Sequence, residues 1–273
     1  MLRFEENRGW CLITHPEHAH LAGEFANKWG NDQFASPEPR EQVLRGIYSH
    51  DDGWRARDAE PVITRQGKPA AFSSELVGKY SAFEEIDLTA YLAVRREAVQ
   101  LMAKVDPYAA ILISMHTHNL LSERADRSTI RVEELQWLDT FLEEQMTLQR
   151  ALREQLIAEE QLGLEYLKPE SLLKNFQLLQ ACDNLSLLSC VDFDGDATLL
   201  HPFGMKDGGT AEIKVKRVGE RAFRLTPYPF AEPDLSFTFS ARYVTGEKFS
   251  SSKELRDRLN LAPTVDFVVL VSA

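Results

Sequence analysis

The chain is poor in the features that tie a protein to a membrane, to nucleic acid or to an oxidising compartment. Only three cysteines occur in 273 residues, Cys11, Cys182 and Cys190, and no two are spaced as CxxC. An odd number in a chain of this length predicts reduced thiols in a cytoplasmic protein rather than a disulfide framework. No apolar run approaches the ~18 residues of a membrane span, and residues 1–8 lack the apolar centre of a signal segment. Positive charge is not in excess. The 31 Lys and Arg residues face 42 Asp and Glu, a net charge of −11, which argues against a nucleic-acid polymer or an anionic membrane as partner. A small phosphorylated partner stays open, because a bound metal reverses the local charge. There is no internal repeat, low-complexity tract or long flexible linker. The acidic turn Asp192-Phe193-Asp194-Gly195-Asp196 lacks the sixth-position glycine and the distal glutamate of a calcium loop.

What is present suits a globular protein with a sizeable core: 44% apolar and 27% charged residues. Residues 2–5 and 9–14 read as two strands joined by a turn at Asn7-Arg8-Gly9. Pro16 and Glu17 open a helix whose inner stripe is His18, Ala22, Phe25 and Trp29. Ser36-Pro37-Glu38-Pro39 opens a second helix, predicted to carry His50 and Asp51 on the face of Val43, Leu44, Ile47 and Tyr48 and to stop at Gly53. Residues 55–75 read as a long loop. A helix is predicted over 88–105, with Val94, Ala98, Leu101, Met102 and Val105 inward. Another, almost wholly apolar, leads to His116 and His118. Residues 131–160 form a charged helix with Leu135, Leu138, Phe141, Leu142 and Met146 inside. Pro169 opens a last helix, on which Leu172, Leu173, Phe176, Leu179, Asp183 and Leu187 follow one stripe. Beyond about residue 192, segments 211–218, 221–228, 235–243 and 264–272 predict a small antiparallel sheet, which the N-terminal strands are free to join. This reading divides the chain into a helical domain, 1–195, that includes the N-terminal hairpin, and a small β subdomain, 196–273.

Six of the seven histidines precede residue 119. His20 stands two positions from His18, about 200° around the helix, and is expected at the surface. Each of four apolar faces offers a metal-competent side chain: His18, the pair His50 and Asp51, His116, and Asp183. A buried carboxylate is normally paired or metal-bound. This mixture of imidazole and carboxylate suits manganese, iron, nickel or zinc.

The order of a histidine, a His-Asp doublet and a late aspartate, all on helices, resembles the HD superfamily of metal-dependent phosphohydrolases. The chain is also similar to a family of uncharacterised bacterial proteins with an HD-like core. The matching stretches are Thr14–Gly23, His50–Trp54, Ser114–His116, Cys182–Leu187 and Pro227–Phe230. The resemblance implies a mainly α fold: an HD-like helical bundle with a small antiparallel β subdomain. It implies His18, His50, Asp51 and Asp183 as ligands of a divalent transition metal. His116, and after it His118, take the intermediate place that accompanies a second ion in some branches. The implied activity is hydrolysis of a phosphoester of a small molecule or nucleotide, for which Asp51 and His116 are the expected catalytic residues. Arg55, Arg57 and Lys68, by their place in the turn and loop after the His-Asp doublet, are candidate substrate contacts, with His15 and His118 beside them. The sequence departs from the pattern in having Gly53-Trp54 where a Gly-Lys pair commonly meets phosphate. Two other readings fit the same residues: a di-iron oxygenase on such a scaffold, and a protein that binds a metal or ligand without turnover.

Overall fold

Asn7 and Arg8 both adopt positive φ, 45° and 62°, the backbone of the tight turn whose twist matches a hairpin. Strands β1 (Leu2–Glu6) and β2 (Gly9–Ile13) therefore pair in register from Leu2–Ile13 to Glu6–Gly9. The computed structural model describes residues 1–77 and 87–273. After β2, the Thr14 hydroxyl accepts from the Glu17 amide at 3.2 Å and Pro16 fills the first turn of α1 (His15–Lys28). His18, Ala22 and Phe25 are buried along its inner face. Helices α2 (Arg40–Tyr48) and α3 (Arg55–Asp58) follow, then α4 (Leu88–Ala103), capped by Asp87. In α5 (Pro107–Asn119) Asp106 caps and Pro107 starts the helix, and every residue from Tyr108 to Ser114 is buried. That apolar run has neighbours all round: α5 packs against α2, α4, α7 and the long α6 (Val132–Ala158). Helix α7 (Pro169–Cys190) lies against α1 and α5.

The remaining chain forms β3 (Asp196–Thr198), β4 (Phe203–Gly204), β5 (Thr210–Ala211), β6 (Lys214–Gly219), β7 (Ala222–Thr226), β8 (Asp234–Thr245), α8 (Ser252–Leu261) and β9 (Thr264–Ser272). Strands β4 and β5 pair with each other. The other seven make one sheet in the order β1-β2-β8-β9-β7-β6-β3. All its neighbours run antiparallel except β7 and β9, which are parallel. Phe237, Phe239, Ala241, Val269 and Val271 alternate inward from β8 and β9. Helix α1 covers this face: Phe25 meets Phe237 edge-on at 4.6 Å, and Glu17 accepts from the Ser240 amide at 2.7 Å. One apolar cluster runs from Leu2 through α1, α5 and α7 to Val271.

This corrects the expectation of a mainly helical bundle with a small antiparallel appendage. About 49% of the described residues are helix and 21% strand, and the sheet is mixed and curls into a half-barrel. The N-terminal hairpin joins the sheet, where β2 pairs with β8 from Gly9–Thr245 to Leu12–Arg242. That pairing joins opposite ends of the chain, so no local pattern announces it. Helix α8 between β8 and β9 was not read from the sequence, and it is covered only on the side of Leu255 and Leu259.

Smaller differences bear on the site. Helix α2 ends at Tyr48, so His50 and Asp51 lie in the turn beyond it. Gly53 is not among the positive-φ residues that end helices; it sits in a short 3-10 turn, Asp52–Trp54. Its role is close approach: a Cβ there would stand 2.7 Å from the Ala98 Cβ and 3.0 Å from the Val94 carbonyl oxygen of α4. Helix α4 buries Leu88, Tyr91, Leu92, Arg95 and Val99, while Leu101 and Val105 are 54% and 68% exposed. On α6, Gln145 is buried and the expected Met146 is exposed; on α7, Leu173 is exposed. Among the described residues no helix is long and apolar enough to cross a membrane.

The Gly53 contact yields a test. Gly53→Ala is expected to cost about 1–3 kcal/mol by overpacking against α4. This would appear as a lower urea midpoint at unchanged m-value; an unchanged midpoint would mean that the turn and α4 do not touch.

Candidate metal centre

Five elements each send polar side chains to one buried place: His18 from α1, His50 and Asp51 from the turn after α2, Arg95 from α4, His116 from α5 and Asp183 from α7. All six residues are buried. The donor atoms of His18, His50 and Asp51 lie within 4.8 Å of one another, as do those of His50, His116 and Asp183.

The histidine tautomers follow from their outer partners. His50 Nδ1 lies 2.8 Å from the Ile47 carbonyl oxygen. A carbonyl only accepts, so Nδ1 carries the proton, and in the neutral ring the Nε2 lone pair points inward. Nε2 stands 3.3 Å from Asp183 Oδ1 and 3.9 Å from Asp51 Oδ2, yet it makes no hydrogen bond. Ser186 Oγ donates to the Asp183 carbonyl oxygen at 2.8 Å and therefore accepts from His18 Nδ1 at 3.0 Å. The His18 Nε2 lone pair is then aimed at Asp51 Oδ2, also at 3.0 Å. Two lone pairs that close repel unless a proton or a cation lies against both. About 3 Å is also the spacing of adjacent ligands on an octahedral ion with ~2.1 Å bonds. His116 Nε2 is 4.0 Å from Asp183 Oδ2, and its Nδ1 is buried without a partner. The set thus has the chemistry of a metal site, with outer hydrogen bonds that hold the ligand rings in place.

Charge is arranged to match. Burial works against an ionised Asp51, but the Arg95 guanidinium, then His50 and His18, hold its carboxyl well below the usual range. Burial likewise opposes ionisation of Asp183, and His50 and His116 overcome it. His50 is lowered by burial but raised further by Asp51 and Asp183, to about 9. Burial pushes His116 down to about 3 and keeps it neutral. Arg95 Nη1 meets Asp51 Oδ1 at 2.5 Å and its Nε donates to the Tyr91 hydroxyl at 3.2 Å. Its cation lies over the rings of Trp54 and Tyr91, at 5.2 and 5.3 Å.

The other expected site residues are placed differently. His15 is a neighbour of the centre, with its ring 6.1 Å from that of His18, but it bonds Asp58 at 2.9 Å and stacks on Trp54 at 4.7 Å. His118 is half-buried beside Ser122 and belongs to neither donor group. Arg55 is exposed and pairs with Asp52 at 2.6 Å, and Arg57 lies near the Met1 end of β1. Lys68 sits over Trp10, 5.6 Å from the ring, in a separate apolar cluster with α8. His20 is exposed against Tyr48. The residue that sequence reasoning missed is Arg95. Its signal was a charge inside the spacing Leu88, Leu92, Arg95, Val99, hidden by assigning α4 the wrong stripe.

The model of a family described as "Protein of unknown function (DUF3891)" matches residues 1–246. No curated protein and no solved structure matches the chain.

The raised His50 predicts a pH dependence. Its folded value lies above the unfolded ~6.5, so its stabilisation is complete below pH 6.5 and is lost as pH rises towards 9. Chelator-treated protein is expected to lose thermal stability across that window. With saturating manganese, His50 carries no proton above pH 6.5 in either state, and its contribution to the slope should vanish. Identical slopes with and without the ion would mean that the ion does not reach His50.

Proposed function

The chain belongs to the DUF3891 family, whose description assigns no activity, and we propose from its own side chains that it is a metal-dependent hydrolase of a phosphoester in a small molecule or nucleotide. The observation that carries this reading is the pair of histidines, His18 and His50, whose Nε2 lone pairs are turned by Ser186 and Ile47 onto the buried carboxylates of Asp51 and Asp183. Those four side chains hold the ion, and the nitrogen and oxygen donors suit manganese, iron, nickel or zinc. Their order is the one by which the sequence resembles the HD phosphohydrolases. When bound, a divalent ion supplies Lewis acidity, polarising a phosphoryl oxygen and making hydroxide available near neutral pH.

The charge of the centre supports an anionic substrate. Without an ion the two carboxylates are balanced by the Arg95 guanidinium and the protonated His50. A single divalent ion in place of the His50 proton leaves the centre net positive, which draws phosphate and not a neutral molecule. Asp51, a ligand through the oxygen that faces His18, would place the ion and with it the water that the ion activates. His116, held neutral by burial, donates an N–H to a substrate oxygen. The three cysteines are buried and free, which suits a reducing cytoplasmic setting.

Metal analysis of the purified protein, followed by hydrolysis of para-nitrophenyl phosphate with manganese, tests the proposal. Asp51→Ala and Asp183→Asn are each expected to lower kcat/KM at least 100-fold (about 2.7 kcal/mol). Equal rates in wild type and both variants would remove the hydrolase reading. Oxygen uptake with ferrous iron in place of hydrolysis would move it to an oxygenase.

A further inference from the structure

The two donor groups share His50, and this raises the question of how many ions the centre takes. We infer that Arg95 limits the centre to a single ion by occupying the Asp51 oxygen that a second ion would need. The inference rests on the metal reading above and deepens it.

Each donor atom can be assigned. His50 has one free nitrogen, because Nδ1 is committed to the Ile47 carbonyl. A neutral imidazole nitrogen has one lone pair, so His50 serves one ion and the two groups cannot both be filled through it. The first ion takes His18 Nε2, His50 Nε2, Asp51 Oδ2 and Asp183 Oδ1. Among these atoms His18–Asp51 is 3.0 Å, His50–Asp183 3.3 Å and His50–Asp51 3.9 Å.

What is left for a second ion is His116 and Asp183 Oδ2, which lie 4.0 Å apart, and Asp51 Oδ1. A bridging aspartate would give each ion one oxygen and complete a second three-ligand site. In this chain Asp51 Oδ1 is held by Arg95 Nη1 at 2.5 Å. The guanidinium cannot swing aside easily. It is buried, its Nε is bonded to the Tyr91 hydroxyl, and its plane lies against Trp54 and Tyr91. It also cannot lose its proton, so it repels a second dication at that oxygen as well as blocking it. Two protein ligands without a bridge do not make a tight site for a divalent transition metal. Arg95 is thus a positioning residue. It keeps Asp51 monodentate and leaves His116 free for substrate.

Titration of chelator-treated full-length protein with manganese(II) alone, followed by electron paramagnetic resonance, tests this without any substrate. Wild type is expected to bind one manganese per chain, with no exchange-coupled signal up to millimolar metal. Arg95→Met is expected to gain a second ion and the coupled spectrum of a manganese pair, and adding His116→Ala to that variant should return it to one ion. Arg95→Gln, with near-UV circular dichroism checked for both variants, covers the case in which the methionine disrupts the fold. Two coupled ions in wild type would overturn the inference whether or not either variant folds. One ion in wild type and in a folded Arg95 variant would overturn it too, while leaving the mononuclear centre in place. No bound manganese in any of the proteins would overturn it together with the metal reading beneath it.

Discussion

Two carboxylates, Asp51 and Asp183, are taken out of water in the middle of this protein, and much of the surrounding structure answers that cost. An ionised carboxylate buried without a partner is one of the least favourable groups a protein can hold. Here each faces imidazole nitrogens from other elements, and Asp51 also meets the guanidinium of Arg95. The imidazoles are held in turn by Ile47 and Ser186, so they cannot rotate away without leaving buried polar groups unpaired. The two donor groups that result could hold a metal ion.

The sheet and helices share the work of holding that arrangement. Helix α1 is fixed on one side by β8, through Phe25 on Phe237 and Glu17 on Ser240, and on the other by α7. Since α1 brings His18 and α7 brings both Asp183 and Ser186, the face of the sheet under α1 sets the depth at which these groups meet. Helix α5 is buried along most of its length and presents His116 from the opposite helical layer. Gly53 lets the turn bearing the His-Asp doublet lie against α4, which brings Arg95 to Asp51. Specificity of position therefore comes from packing among elements that are far apart in sequence. The same packing leaves three imidazoles and two acids of unlike environment: His50 is pushed up by the acids, while His116 is pushed down by burial.

Much of the local structure was legible. Turn residues at Asn7 and Arg8, Pro16 at a helix start and the apolar run into His116 all act within a few residues of themselves. The stripe through His18 and Phe25 identified one inward histidine and, by the same periodicity, placed His20 outside. Periodicity was less decisive where a helix is polar on its buried side. On α4 it selected Leu101 and Val105, which are exposed, over Arg95, because a charged residue counts against burial until its partner is known.

The sequence by itself determined which side chains are able to bind an ion and on which faces of their elements most of them stand, because short-range sterics, capping and the 3.6-residue repeat are properties of neighbouring residues. Only the tertiary structure decided that β1 and β2 join β8 at the far end of the chain, that His50 and Asp51 sit just beyond a helix, and that Arg95 closes one oxygen of Asp51. Those outcomes depend on contacts between distant segments, where the energies of burial, pairing and desolvation are settled jointly and no single stretch of chain carries the answer.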